Sequence, residues 1–230
     1  MIASTDDQLN DAREAMMTSI RAHLAESARL HPTDAPAIVA ETPRVTRSTD
    51  SDNARVAIFC ERLESVGGRS VVARSEDEAR LALGEIVNEL RAHTGLRVAL
   101  SNAPLVGELA RQLDVQQVTV DPRVADLFDY DVGITTAQAA IAETGTLVLE
   151  AEKERHRFVS LLPPIHIAVV RSSDLCWTIG DALERLRQRD QLSRAITFIT
   201  GPSRTADIEL TLTVGVHGPR ELFVIVIDYV

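Results

Sequence analysis

From residue 54 onward the chain alternates short apolar runs with segments of helical periodicity, and few folds accommodate that alternation. Val56, Phe59, Leu63 and Val66 recur at helical spacing, and Gly67-Gly68 closes the segment as a helix C-terminus does. Residues 70–73 read as a strand. Ser75, followed three residues on by Glu78, forms a capping box that opens a helix reaching residue 92 and ending near Gly95. A strand over 96–100, a helix over 104–113 and a strand over 117–120 follow. Short apolar strands separated by helices imply parallel βαβ units. The last third is richer in strands, at 146–150, 165–170, 195–200, 209–215 and 222–228, with one helix over 181–189. The expected architecture is an α/β three-layer sandwich whose central sheet is mostly parallel. Upstream, Leu9, Ala12, Met16, Ile20, Leu24 and Ala28 mark one amphipathic helix over residues 8–30, ended by Pro32. Residues 31–53 are rich in Pro, Thr, Ser and Asp and read as a linker. The expected division is therefore an N-terminal helix and linker, 1–53, and a main domain, 54–230. The helix either packs on its own domain or joins copies into a homo-oligomer, packing on its own domain being the favoured reading.

Composition narrows the function. Hydrophobic residues make up 45% of the 230 and aromatic residues only 3%, so the core must be aliphatic. A net charge of −10 argues against nucleic acid or an anionic membrane as partner, since basic clusters carry such binding. Cys60 and Cys176 are too few for a disulfide framework or a four-cysteine iron–sulfur site, and read as buried free thiols. The first residues show no signal peptide. The longest apolar run, 222–227, falls far short of the ~20 residues a membrane helix needs. The expected location is cytoplasmic.

Two glycine-punctuated blocks carry the polar groups. In the first, running from Gly133 to Thr146, Thr135 and Gln138 match a capping box, which predicts a short helix over 136–142 stopped by Gly145. Glu143 then falls at a helix C-terminus, where the dipole opposes a carboxylate. A carboxylate held there is a candidate for a raised pKa and a catalytic role, with Gly145 and Thr146 beside it. The plainer alternative pairs Glu143 with Arg155 or Arg157, or leaves it in water. In the second block Gly201, Pro202, Ser203, Arg204 and Thr205 follow a strand directly. Ligands of open α/β sheets bind beyond the carboxyl ends of strands. Backbone N–H groups, the Ser203 and Thr205 hydroxyls and Arg204 suit a phosphate or carboxylate. The block is neither a Walker loop nor a dinucleotide fingerprint. Asp207 and Glu209 read as a hydrophilic cluster rather than a metal site. His217, on a turn near these loops, is a candidate acid/base or carboxylate binder, whereas His166, between apolar strand neighbours, reads as a satisfied structural histidine. Neither zinc spacing nor a nucleophile elbow occurs, so no metal and no cofactor is expected.

Four phrases, AIAETGTLVL at 140–149, LPPIHIAVV at 162–170, GPSRTADIE at 201–209 and GVHGPREL at 215–222, together resemble the LUD-domain family and, within it, the lactate-utilisation protein C group. The resemblance implies a fold like that of glucosamine-phosphate deaminase, ribose-phosphate isomerase and CoA transferases. It also implies a part in bacterial oxidation of L-lactate to pyruvate alongside two iron–sulfur partner proteins. Glu143-Thr144-Gly145 resembles the Glu-x-Gly turn around the nucleophilic carboxylate of CoA transferases. Three functions stay open. One is a subunit without its own cluster that binds a small anionic ligand or a partner. Another is a stand-alone enzyme acting on a phosphorylated or CoA-linked metabolite through Glu143. The third is a regulatory ligand-binding module.

Overall fold

The structure, a computed structural model, describes residues 5–30, 52–90, 95–115, 117–120, 122–154, 157–188, 193–206, 212–214 and 218–229. The chain divides into two compact units, Met1–Thr46 and Arg47–Val230. The described residues of the first form one helix, α1 (Thr5–Leu30), over the segment whose periodicity predicts one.

The second unit is built on six parallel strands: β1 (Arg69–Ala73), β2 (Arg97–Leu100), β3 (Gln117–Val120), β4 (Val132–Thr136), β7 (Ile165–Arg171) and β12 (Glu221–Ile227). Their order across the sheet is β1-β12-β7-β4-β2-β3, and every neighbouring pair is parallel. A four-stranded second sheet follows the order β8-β5-β6-β9, from β5 (Ala139–Ile141), β6 (Thr146–Glu150), β8 (Leu175–Cys176) and β9 (Ile196–Thr200). A small hairpin pairs β10 (Arg204–Ala206) with β11 (Leu212–Val214). The α/β class with a mostly parallel central sheet is as expected.

Side-chain alternation explains the layering. On β7, Ile167 and Val169 face helices α3 (Glu76–Leu90) and α4 (Pro104–Ala110) in one core, while Ala168 and Val170 face the opposite way. That opposite face packs on α2 (Asp52–Ser65), through Phe59 and Leu63, and on Ala140, Leu147 and Leu149 of the second sheet. The other face of the second sheet, with Ala139, Ile141 and Val148, is covered by Ala182 and Leu186 of α5 (Ile179–Arg187). Successive residues of a strand point to opposite faces, so a strand buried on both faces reads as a continuous apolar run.

The predicted helix over 136–142 is not formed; β4 and β5 occupy that stretch. Ala139 and Ile141 face one core and Ala140 and Ala142 another, a period of two that a helix cannot satisfy. The would-be capping residues are used otherwise. Thr135 Oγ1 bonds His166, and Gln138 Nε2 donates to Glu154 Oε1 at 2.7 Å. Of the strand expected over 209–215, β11 accounts for the described part; residues 207–211 and 215–217 lie outside the described residues.

Candidate functional site

A cleft of ≈ 510 Å³ opens between the two sheets, at the amino ends of β7 and β12. Its walls include Thr200, Gly201, Ser203, Arg204, His166 and Leu222. The loop after β9 is fixed by backbone contacts. Ser203 N donates to Pro219 O at 2.8 Å, and Arg220 N donates to Pro164 O at 2.7 Å, tying the 218–220 turn to the start of β7. Arg204 is exposed at the rim, and its guanidinium lies against Gly67, where a Cβ would come within 2.1 Å of Nη2. Gly67 has φ +88°, so the bare backbone that Arg204 rests on is also a conformation suited to glycine. Arg204 has no carboxylate partner among the described residues, which leaves it available to an anion.

His166 and Ser160 are buried polar residues of the cleft lining. His166 is 0% exposed, and its Nε2 lies 2.8 Å from Thr135 Oγ1. Its Nδ1 has no hydrogen-bond partner among the described residues. Burial pushes its pKa down to about 3, so the ring is neutral near pH 7. Ser160, also buried, donates its hydroxyl to Arg157 O at 2.7 Å. Of the satisfied structural histidine that the sequence suggests, the described residues supply one side only: Nε2 is bonded and Nδ1, beside the cavity, is not.

The structure gathers only part of the predicted set. Gly201, Ser203 and Arg204 share the cleft, and Thr205 follows in β10, paired through its backbone register with Thr213. Thr146 belongs to a chain of hydroxyls: Thr144 Oγ1 to Thr146 Oγ1 at 2.7 Å, then Thr146 Oγ1 to Thr200 Oγ1 at 2.7 Å. It meets the cleft only through Thr200. Gly145, with φ +64°, packs its Cα on the α2 backbone. Glu143 lies in the β5–β6 turn and does not line the cleft. Its Oε1 accepts from Ile179 N, the first residue of α5, at 3.0 Å. It thus stands at a helix N-terminus, where the dipole favours its charge, and not at the C-terminus the sequence suggests. His217, Asp207 and Glu209 lie outside the described residues.

The position of the loop is also corrected. β9 runs antiparallel to β6 in the second sheet, so residues 201–205 do not follow a strand of the parallel sheet. The carboxyl ends of β2, β4 and β7 border a different cleft, of ≈ 980 Å³, lined in part by Pro104, Thr136, Gln138, Lys153 and Arg171. Behind it the buried Glu154 carboxylate accepts from Thr136 N at 3.2 Å, from the Thr136 hydroxyl and from Gln138 Nε2. Sequence reasoning missed this network because it joins the β4–β5 connection, with Thr136 and Gln138, to Glu154 in the segment after β6.

Burial raises the thiol pKa of both Cys60 and Cys176, which disfavours the thiolate that metal binding requires. Among the described residues no group of three His, Cys, Asp or Glu could hold a metal ion, and no helix is long and apolar enough to cross a membrane.

Comparison with known proteins gives a consistent picture. A family model described as the LUD domain matches residues 56–227. A lactate utilization protein C from Shouchella clausii is 44% identical over 101 residues, which is 43% of this chain and 44% of that protein. One from Deinococcus radiodurans is 39% identical over 104 residues, 45% of this chain and 49% of that protein. The chain thus spans about half the length of the curated relatives it matches. The crystal structure of a DUF162-family protein from Deinococcus radiodurans superposes with a TM-score of 0.59, covering 78% of this chain and 99% of that one. At 24% identity it supports the fold alone.

Proposed function

The chain belongs to the LUD-domain family, and from that premise we propose that it serves lactate utilisation as a cytoplasmic subunit without an iron–sulfur cluster of its own. In this role iron–sulfur partner proteins carry the electrons of L-lactate oxidation to pyruvate. This chain holds a small anionic ligand, a carboxylate in the first instance, in the cleft between its sheets. The observation that carries the reading is Arg204, a cation without a carboxylate partner among the described residues, at the rim of that cleft. A guanidinium donates two parallel N–H bonds to a carboxylate, and Ser203 adds a hydroxyl beside it. Electron transfer is assigned to the partners because two separated, protonated thiols cannot replace the four thiolates of a cluster.

The test is reconstitution. The purified chain alone is expected to contain no iron and to give no lactate-dependent dye reduction. Activity is expected when the iron–sulfur proteins are added, and it should depend on this chain. Robust reduction by the chain alone, or full activity of the partners without it, would overturn the assignment.

One observation favours a second reading, an enzyme acting on a phosphorylated or CoA-linked metabolite. The larger cleft lies where parallel sheets hold their ligands, and Lys153 on its wall has no partner among the described residues. Turnover of such a metabolite, lost on Lys153→Ala and kept on Arg204→Ala, would favour it.

A further inference from the structure

We propose that His166 selects the ligand of the inter-sheet cleft: its Nδ1–H donates to an uncharged acceptor oxygen, carbonyl or hydroxyl, of a small organic acid whose carboxylate meets Arg204. This rests on the reading that the cleft binds an acid, and it names what the floor recognises.

The proton's place follows from counting partners. Thr135 is buried, and its hydroxyl bonds only His166 Nε2 among the described residues. If Nε2 carried the proton, it would donate to Thr135 Oγ1. The Thr135 hydroxyl proton and the Nδ1 lone pair would then both be unmet. If Thr135 donates to Nε2, only the Nδ1–H is unmet. Leaving a buried donor or acceptor unmet is costly, so the second arrangement wins by one group. A doubly protonated ring is excluded near neutral pH by the burial that depresses the His166 pKa.

Nothing nearby in the described structure satisfies that N–H. The register partners of His166 are Gly133 on β4 and Leu222 on β12, neither of which brings a polar side chain. The Ser160 hydroxyl donates to Arg157 O and makes no hydrogen bond with Nδ1. Val66, Leu161 and Leu222 add apolar surface to a lining whose other polar groups are neutral hydroxyls, and among the described residues Arg204 at the rim is its one charged side chain. Such a floor suits a neutral oxygen better than a charge, because an unpaired carboxylate loses far more hydration on burial than a carbonyl or hydroxyl does. The charge of the ligand belongs at the exposed rim, with Arg204, and its uncharged oxygen at the floor.

Two measurements test this. The first uses long-range ¹H–¹⁵N spectra of the ligand-free protein. Nδ1 should be protonated and Nε2 bare; the opposite tautomer overturns the proposal, whatever binds. The second compares pyruvate and L-lactate with propionate, which lacks the oxygen, on the native protein and on His166→Phe. The native protein should prefer at least one of the oxygenated acids by about two- to tenfold, the value of one neutral hydrogen bond. That preference should vanish in His166→Phe while propionate binding persists. A preference that survives the substitution, or is absent from the native protein, overturns the proposal. Arg204→Ala separates the two levels. If it weakens all three acids alike while His166→Phe leaves their ratio unchanged, the cleft binds acids but His166 does not choose among them. If no acid binds the native protein, the cleft reading fails and this inference fails with it. Should His166→Phe not fold, the tautomer and the native preference still decide.

Discussion

Replacing Gly145 with Ala tests whether the glycine of the Glu-Thr-Gly turn serves structure or ligand. Gly145 has φ +64°, a conformation that costs an L-residue about 1–2 kcal/mol. A Cβ there would stand 2.3 Å from Leu63 N and 2.6 Å from both Arg62 C and Leu63 Cα. These are backbone atoms of α2 and cannot rotate away. Relief requires moving α2, which would draw the fully buried Phe59 and Leu63 out of the core. Overpacking of that kind typically costs about 1–3 kcal/mol. Together the two effects predict a loss of roughly 2–5 kcal/mol. For a domain of this size that is a fall in Tm of roughly 4–20 °C, from about 2–4 °C per kcal/mol. Urea unfolding of native and variant protein measures the loss, and calorimetry on the folded variant measures acid binding. Stability within ~0.5 kcal/mol of native, combined with lost binding, would refute the packing role and return Gly145 to the ligand site.

Glu143→Gln should destabilise the fold by ~0.3–1 kcal/mol, because it removes a negative charge from the N-terminus of α5; chemical denaturation showing a neutral or stabilising effect would contradict the placement of Glu143. His166 makes the native state acid-sensitive. Its folded pKa, about 3, lies below the ordinary value of 6.5, so the unfolded chain binds the extra proton first as pH falls. The stability tied to the neutral ring is fully present above pH 6.5 and is lost toward pH 3, at up to ~1.4 kcal/mol per pH unit. His166→Phe should flatten that part of the stability–pH curve, and a variant whose slope over the interval matched the native one would contradict the buried neutral ring.

The part of the fold that sequence made legible is the part with strong local signals. The stretch from α2 to β3 follows from helical spacing, stop glycines and caps. Glu78 N donates to Ser75 Oγ at 3.1 Å as the capping box predicts, although the Glu78 carboxylate reaches Arg74 N, at 2.7 Å, rather than the backbone of Ser75. Residues 132–142 misled because Thr135 and Gln138 carry the spacing of a cap while answering to distant partners, His166 and Glu154. Alanines at 137, 139, 140 and 142 suit either helix or strand, and only the presence of a core on both faces chooses strand. The glycine, hydroxyls and arginine of residues 201–205 were legible as residue types, but the place of that loop in the fold was not. Which sheet β9 joins depends on its pairing with β6, which no local pattern specifies. The environment of His166 was hidden for the same reason: that its Nδ1 has no partner among the described residues is a property of its neighbours, not of the strand that carries it.

The most direct test of the cleft is isothermal titration of L-lactate and pyruvate into the native protein and into Arg204→Ala. The native protein should bind at least one of them, and the variant should bind it roughly 10- to 150-fold more weakly, the loss of one charge-assisted hydrogen bond of about 1.5–3 kcal/mol. Its melting temperature should change little, since Arg204 is exposed and supports no core. Equal affinity in the two proteins, or no binding of either acid by the native one, would contradict the assignment of the inter-sheet cleft as the ligand site.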